Sequence, residues 1–456
     1  MSAPISPAAA PSGNTLEAPN SVGNETLALH GGPMAVTFSG HVSAGLGPEE
    51  IGDEEIAAVT AVLKSKNLFR FFKSREESYV ARLEDLFAEK AGAAHVLAVN
   101  SGTSALISGL VGIGVSQGDE VLVPAYTYIA TAAAVLALGA FPVVVEIDGS
   151  LTMDPVDAER KITPRTKAIV PVHMRGVPCN MEAIVDLARR RRLKVLEDCA
   201  QANGGSYRGT ALGLLGDAGA YSFQHFKIIT SGEGGLLVTN RKEIHDRAAI
   251  YHDSAYTFWM EKNIEGELSD PEEIARWKQA CFLGENYRQS EVHGAIGYEQ
   301  LKKRDAILAR TRAIKKKLRA ACEALPGITP EATHDAEGDC GISLALFTES
   351  EERTKEVATI LKAEGIRCGT RFSRHVPDRH LFYHWDYIME KRTLHRNGFP
   401  WTGGARPCQM EYSKEMCPQT LDWMSRGIFF SIGHLMSDRY LDEVCRGIEK
   451  VGKALS

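Results

Sequence analysis

Five short runs of β-branched and other apolar residues constrain this chain more than any other feature: HVLAV (95–99), EVLVP (120–124), PVVVEI (142–147), AIVPVH (168–173) and KVLED (194–198). Helical patterns separate them, one starting at Ser101, one near Tyr128 and one over Met181 to Arg190. Such runs are too continuously apolar for strands with one wet face. They predict an α/β fold whose mainly parallel sheet is covered by helices on both sides. In such sheets a ligand sits outside the carboxyl ends of the strands. GGLLVTN (234–240) supplies a further strand of open direction.

The 456 residues are enough for two or three domains. Composition sets residues 1–45, rich in Ala, Pro, Gly, Ser and Asn, apart as a flexible extension with some order near LALHGGPMAV. A large α/β domain over 46–310 and a smaller α+β domain over 311–456 follow. In the smaller one GISLALF reads as a strand, and EERTKEVATILKAEG and DRYLDEVCRGIEKVGKAL read as helices.

A net charge of -6 gives no reason to expect nucleic acid or an anionic membrane as partner. The basic run Arg189–Arg192 suits the C-terminal end of a helix. Nine cysteines without a CxxC pair argue against a disulfide framework and for a reduced, cytoplasmic protein. The start, MSAPISPAAAPSGN, lacks the features of a signal peptide. Gly139 and Pro142 divide the longest apolar stretch, IATAAAVLALGAFPVVV, into a helix and a strand rather than a membrane span.

Three elements fall at predicted strand ends. NSGTSAL (100–106) opens a helix with small residues, which serves either as an ordinary cap or as a phosphate cup. Asp198 closes an apolar strand, where a carboxylate either caps the next helix or pairs with a ligand cation. No companion at ligand spacing supports a metal there. The third element, YSFQHFKIITSGEGG (221–235), carries Lys227. A lysine drawn into a partly desolvated crevice loses pKa and can attack a carbonyl. Phosphate cup, acidic strand end and buried lysine together describe pyridoxal phosphate.

With those pieces in order, the chain resembles the DegT/DnrJ/StrS family of sugar and cyclitol aminotransferases, within the fold-type-I pyridoxal phosphate enzymes. The likeness runs over roughly residues 27 to 455. VNSGTSAL, GDEVLVPAYTYIATAAAVLALGAFPVVVEID, VLEDCAQA, YSFQHFKIITSGEGG and GENYRQSEVHGAIGYEQL carry it. The resemblance implies that Lys227 bonds covalently to the cofactor and then acts as base, and that Asp198 pairs with the ring nitrogen. It implies Gln201 beside the ring hydroxyl and Tyr128 stacked on the ring. Gly102, Thr103, the backbone of Ser104, and Ser222 would hold the phosphate. Asn286 would reach the phosphate of a neighbouring subunit, which makes the expected assembly a homodimer with shared active sites.

The implied reaction moves an amino group from L-glutamate or L-glutamine to a keto-sugar or keto-cyclitol. The acceptor stays open among cyclitols, sugar acids and nucleotide-linked sugars. A sugar dehydratase and a non-catalytic cofactor-binding regulator are the alternatives. The dehydrating relatives replace the lysine by histidine, and this chain keeps Lys227.

The sequence departs from the family at Asn203, where many members have His, and at Gln289, where a hydrophobic residue is usual. The segment 253–284 looks long. His225 is expected behind the chemistry, satisfied by its neighbours. For His375, His380 and His384 a lid or substrate-edge role is favoured over a metal site. Arg70 and Lys73 are left between an anion-binding and a structural role. Gln224, His225 and Phe226 face either substrate or core.

Overall fold

The computed structural model describes residues 26–39, 45–254 and 279–456. The sequence expectations for 1–25 and for most of the long segment 253–284 lie outside the described residues.

Among the described residues nine strands precede the long helix Glu291–Cys322. They are β1 (His95–Val99), β2 (Glu120–Pro124), β3 (Phe141–Val145), β4 (Thr166–Ile169), β5 (Lys194–Asp198), the small hairpin β6–β7 (Ser206–Tyr207 and Thr210–Ala211), β8 (Ala218–Ser222) and β9 (Gly235–Thr239). Seven of them form one sheet in the order β1-β9-β8-β5-β4-β2-β3. The pairs β2–β3, β2–β4, β4–β5 and β5–β8 are parallel. Strand β9, whose direction the sequence left open, runs antiparallel to both β8 and β1.

Alternation along each strand feeds two cores. In β1, Leu97 and Val99 join one cluster, while Val96 and Ala98 join the other. The first cluster takes in helices Gly102–Gly112 and Ala130–Ala137; the second takes in Tyr79–Ala91 and Met181–Arg191. Burial on both faces is why these strands read as continuous apolar runs rather than as alternating ones.

Strands β10 (Thr329–Pro330), β11 (Ser343–Phe347) and β12 (Gly427–Ser431) make a separate antiparallel sheet. Helices Glu351–Ala363 and Asp438–Leu455 cover it around a third core. Leu27 and Val36 are buried in that same core. Ala28 N donates to Glu364 Oε1 (2.7 Å), Phe38 N donates to Glu443 Oε2 (2.7 Å), and Lys450 Nζ donates to the Pro33 carbonyl (2.7 Å). Residues 26–39 thus dock on the helices that cover the C-terminal sheet. The position proposed above as a domain boundary, 310/311, falls inside the continuous helix Glu291–Cys322. That helix packs beside Tyr79–Ala91 and also carries Lys315 to Glu331 and Asp339, both at 2.6 Å.

Glu197, next to the strand end, fixes the loop between the hairpin and β8. Its carboxylate accepts from the N–H groups of Gly213 (2.8 Å), Leu215 (2.8 Å) and Gly216 (2.7 Å), and lies 3.1 Å from His173 Nε2. A Cβ on Gly219 of β8 would overlap the Cα of Gly213 and lie 2.7 Å from its carbonyl oxygen. Gly219→Ala is therefore expected to lower stability by about 1–3 kcal/mol, the usual cost of overpacking. Gly369→Ala, with nothing within 4 Å of the new Cβ, stays within about 0.5 kcal/mol. Urea melts of the two variants check this, and equal midpoints would contradict it.

Candidate active site

The carboxyl ends of β5 and β8 and the start of helix Gly102–Gly112 meet at one crevice. Strand β5 ends in Asp198, which is only 4% exposed. Its Oδ2 accepts from Thr131 Oγ1 at 2.8 Å, and its Oδ1 accepts from the Ala200 N–H at 3.0 Å. Burial raises the pKa of this carboxyl, opposed by the Ala200 and Thr131 hydrogen bonds and by the charges of Lys227 and His173. Thr131 sits in the first turn of Ala130–Ala137. Tyr128, just before that helix, stays 39% exposed with its ring centroid 5.3 Å from that of His380.

Strand β8 delivers Ser222, buried beside the start of helix Gly102–Gly112. A Cβ on Gly102 would lie 2.7 Å from the Ser222 Cβ, so only a glycine permits this approach. Ser101 is the N-cap and accepts from Ser104 N at 3.0 Å. Ser104 Oγ donates to Asn100 Oδ1 at 2.6 Å; with its N–H bound to Ser101, Ser104 is engaged in the cap and does not offer the phosphate donor expected from sequence. Thr103 is exposed at the helix start. The ordinary cap and the small-residue cup, alternatives in the sequence, are both present, on different residues.

Lys227 lies on the turn after β8. Its N–H donates to the Gln224 carbonyl (3.0 Å), and its own carbonyl accepts from Gly47 N (3.3 Å). Burial lowers its pKa, opposed by the charges of Asp198 and Glu233. The polypeptide returns toward β9 through Gly232 and Gly234, both at positive φ, which seats Lys227 on a fixed turn.

Beside this crevice opens a cavity of about 630 Å³, walled by residues of both sheets' loops and by the segment Gly45–Glu49. Gln201 lines it, with Oε1 accepting from Arg175 N at 3.0 Å. His225 and Phe226 line it too, and Phe226 is 81% exposed. His225 is thus an exposed wall residue, not the satisfied histidine behind the chemistry that the sequence suggested. Of the three small-unit histidines, His380 reaches the cavity, with Nδ1 2.9 Å from Asp378 Oδ1. Arg70 is structural: buried, ion-paired with Glu84 and stacked on Phe71. Lys73 lies 3.9 Å from the buried Glu291. Asn203 is buried and accepts from Arg304 Nη1 at 3.3 Å.

Asn286 is exposed, and its Oδ1 accepts from Arg288 N at 3.3 Å. The neighbouring Tyr287 carbonyl takes the Asn100 N–H at 2.8 Å, which ties this segment to the entry of the cup. Buried behind Asp198, the donor atoms of His173, Glu197 and Cys199 lie within 4.8 Å of one another. Glu197 is engaged by the three loop N–H groups, and His173 Nδ1 accepts from Cys179 N at 3.1 Å. The cluster therefore works as a structural network.

Thr131, Arg175 and the segment Gly45–Glu49 belong to the site and were not found from sequence. The one available signal was Thr131, three residues beyond Tyr128 on a predicted helix.

The profile of the DegT/DnrJ/EryC1/StrS aminotransferase family matches residues 49–393, well over half of the chain. The chain belongs to this family. Over 242 residues it is 39% identical to the GDP-perosamine synthase of Escherichia coli O157:H7, a match covering 53% of this chain and 62% of that protein. With the GDP-perosamine synthase of Caulobacter vibrioides it shares 40% over 232 residues, which is 58% of that protein. The matches thus span less than two thirds of either synthase. SpsC, a spore coat polysaccharide biosynthesis protein of Bacillus subtilis, is 31% identical over 410 residues, 88% of this chain and 95% of SpsC. Among solved structures, DesV of S. venezuelae in complex with a ketimine intermediate superposes with a TM-score of 0.68 at 28% identity, covering 89% of this chain and 96% of DesV.

DegT/DnrJ/EryC1/StrS aminotransferases use pyridoxal phosphate. The residues present fit it: a glycine cradle and free N–H groups for a phosphate, a buried carboxylate, and a lysine whose charge burial disfavours.

The lowered pKa of Lys227 has a kinetic consequence. The neutral amine is the form that attacks the cofactor aldehyde, so uptake of pyridoxal phosphate by cofactor-free protein rises with pH through the Lys227 pKa. The midpoint of the rise should lie below 10.5, the ordinary lysine value. Asp198→Asn removes a charge that raises this pKa, so its midpoint moves to lower pH. Stopped-flow absorbance reads both profiles; a midpoint at or above the ordinary value, or an alkaline shift in the variant, contradicts the geometry.

Proposed function

We propose that this chain is a pyridoxal phosphate-dependent aminotransferase. It moves an amino group from L-glutamate or L-glutamine to a keto-sugar or keto-cyclitol in amino-sugar biosynthesis. The observation that carries the reading is the convergence of Asp198, Lys227 and the Gly102/Ser222 cradle on one crevice with an open cavity alongside. The GDP-perosamine synthases among its relatives favour a nucleotide-linked keto-sugar as acceptor.

The cofactor supplies an electron sink for the bonds broken at the substrate carbon. Gly102, Thr103 and Ser222 would hold its phosphate, while the Ser104 N–H, also expected there, is taken by Ser101 Oγ. Tyr128 would stack on its ring, Gln201 would lie beside its hydroxyl, and Asp198 would pair with its ring nitrogen. Thr131 and the Ala200 N–H orient the Asp198 carboxylate. The side-chain amine of Lys227 would serve as the base. Because burial favours its neutral form, its Nζ would take the proton from the substrate carbon and hold it for return. Burial of Asp198 and Ser222 keeps bulk water away from that transfer.

The active protein is a homodimer in which Asn286 completes the neighbouring site. Its nine free cysteines support a reading of the protein as cytoplasmic. Among the described residues no helix is long and apolar enough to cross a membrane.

Loaded protein is expected to lose the absorbance of lysine-bound cofactor on addition of L-glutamate and to regain it with a keto-sugar. Lys227→Ala abolishes both changes. A loaded protein that ignores every amino acid offered would instead be a regulator. The dimer has its own test: Lys227→Ala and Asn286→Ala protomers are each poorly active, but mixed dimers hold one intact site and regain activity. Mixtures that stay at the sum of the parents contradict the shared site.

A further inference from the structure

Arg175 is the side chain that the reaction outlined above leaves unused. It sits in the short turn Met174–Gly176, between β4 and helix Met181–Arg191, with φ 58° and ψ 23°. That left-handed conformation is uncommon for a residue with a Cβ, and such residues cluster at functional sites. Its backbone N–H is bound by Gln201, so the residue is referenced directly to the cofactor crevice.

The side chain is 9% exposed and lines the cavity beside that crevice. Its Nη2 donates to the Phe430 carbonyl at 3.3 Å, and its guanidinium lies 4.9 Å from the centroid of the Phe429 ring. Its Nε is a buried nitrogen with no hydrogen-bond partner. Among the described residues no carboxylate forms an ion pair with it. Glu331 is near enough to sense its charge, but Glu331 is tied to Lys315 at 2.6 Å and to the Ala345 N–H at 3.1 Å.

A guanidinium buried to this degree, held by a carbonyl and a ring face, carries a charge that the protein does not neutralise. Its planar fork, with one N–H unsatisfied by the protein, suits a carboxylate. The same cavity wall carries Arg371, from the loop that pairs with β12. The acids that line it are Glu49 and Asp378, and Asp378 is bound to His380.

We propose that Arg175 is the carboxylate-binding residue of the substrate pocket, with Arg371 on the small-sheet side of the same cavity as its second cation. The inference rests on the aminotransferase reading and names the ligand chemistry of its pocket. The carboxylate comes either from the amino donor or from a sugar-acid acceptor, and the two sources separate in the half-reactions.

The test uses the loaded full chain and its Arg175→Met and Arg175→Lys variants. Stopped-flow absorbance gives the half-saturating L-glutamate concentration. The amine-loaded form is titrated with a neutral keto-sugar and with a keto-sugar acid. Calorimetry follows glutarate, a dicarboxylate that cannot react. Arg175→Met is expected to weaken the carboxylate ligand about tenfold or more, with the limiting rate nearly unchanged; Arg175→Lys falls between. Weakening of glutamate and glutarate with an unaltered neutral acceptor assigns the donor carboxylate, and weakening of the sugar acid alone assigns the acceptor.

Unchanged affinity for every acid overturns the proposal, as does equal weakening of neutral and acidic ligands, which marks a merely structural arginine. Should Arg175→Met fail to fold, Arg175→Lys decides by the same comparison. A wild-type protein inert to all amino donors refutes the aminotransferase reading instead, and glutarate binding still tests Arg175.

Discussion

The site depends on a carboxylate held in a place where carboxylates are unstable. Asp198 ends a strand buried on both faces, and its burial pushes its pKa up. Two hydrogen bonds and the nearby Lys227 oppose that push, but they do not cancel it. Lys227 is displaced the opposite way: burial favours its neutral form, and Asp198 restrains the shift. Two groups that would be plain charges in water are thus both moved toward neutrality. A cationic heterocycle with an aldehyde relieves both, giving Asp198 a counter-charge and consuming the amine of Lys227.

The geometry that imposes this condition comes from the sheet. The Asp198 carbonyl accepts from the His173 N–H, and Glu197, one residue earlier, holds the loop ahead of β8 through three backbone N–H groups. Successive residues of β5 point to opposite faces. Glu197 therefore faces the interior, where it braces the strand that brings Ser222 to the cup, while Asp198 faces the chemistry. One acidic dipeptide serves support and reaction by alternation alone.

Much of this was legible in the sequence because the signals are local. Apolar runs without alternation predict doubly covered strands, and both cores are found on the two faces of the sheet. The glycines after Lys227 suit a turn, and Gly232 and Gly234 have positive φ. The direction of β9 was not legible, because a single short apolar strand looks alike in either direction. Thr131 was hidden because a threonine in a helix looks the same whether its hydroxyl meets a backbone carbonyl or a carboxylate across the crevice. The docking of residues 26–39 depends on Glu364 and Glu443, hundreds of residues away, which no local pattern reveals. His225 was misplaced because nearness to Lys227 in sequence does not fix which way a turn residue points.

Arg175 shows the same limit from the energetic side. In sequence it is one arginine among many. Its significance arises because the chain places it in a left-handed turn, bonds its N–H to Gln201 and buries its Nε without a partner. An evolved interior rarely keeps a buried cation unmatched, since the desolvation cost is offset only by a counter-charge or a full set of hydrogen bonds. Glu331, the acid that senses it, is bound to Lys315. A counter-charge is then to be sought in a ligand, and Arg175 lines the cavity that such a ligand would enter. The pocket is thereby set for a substrate that carries its own negative charge, a requirement that a cofactor-binding crevice alone does not impose.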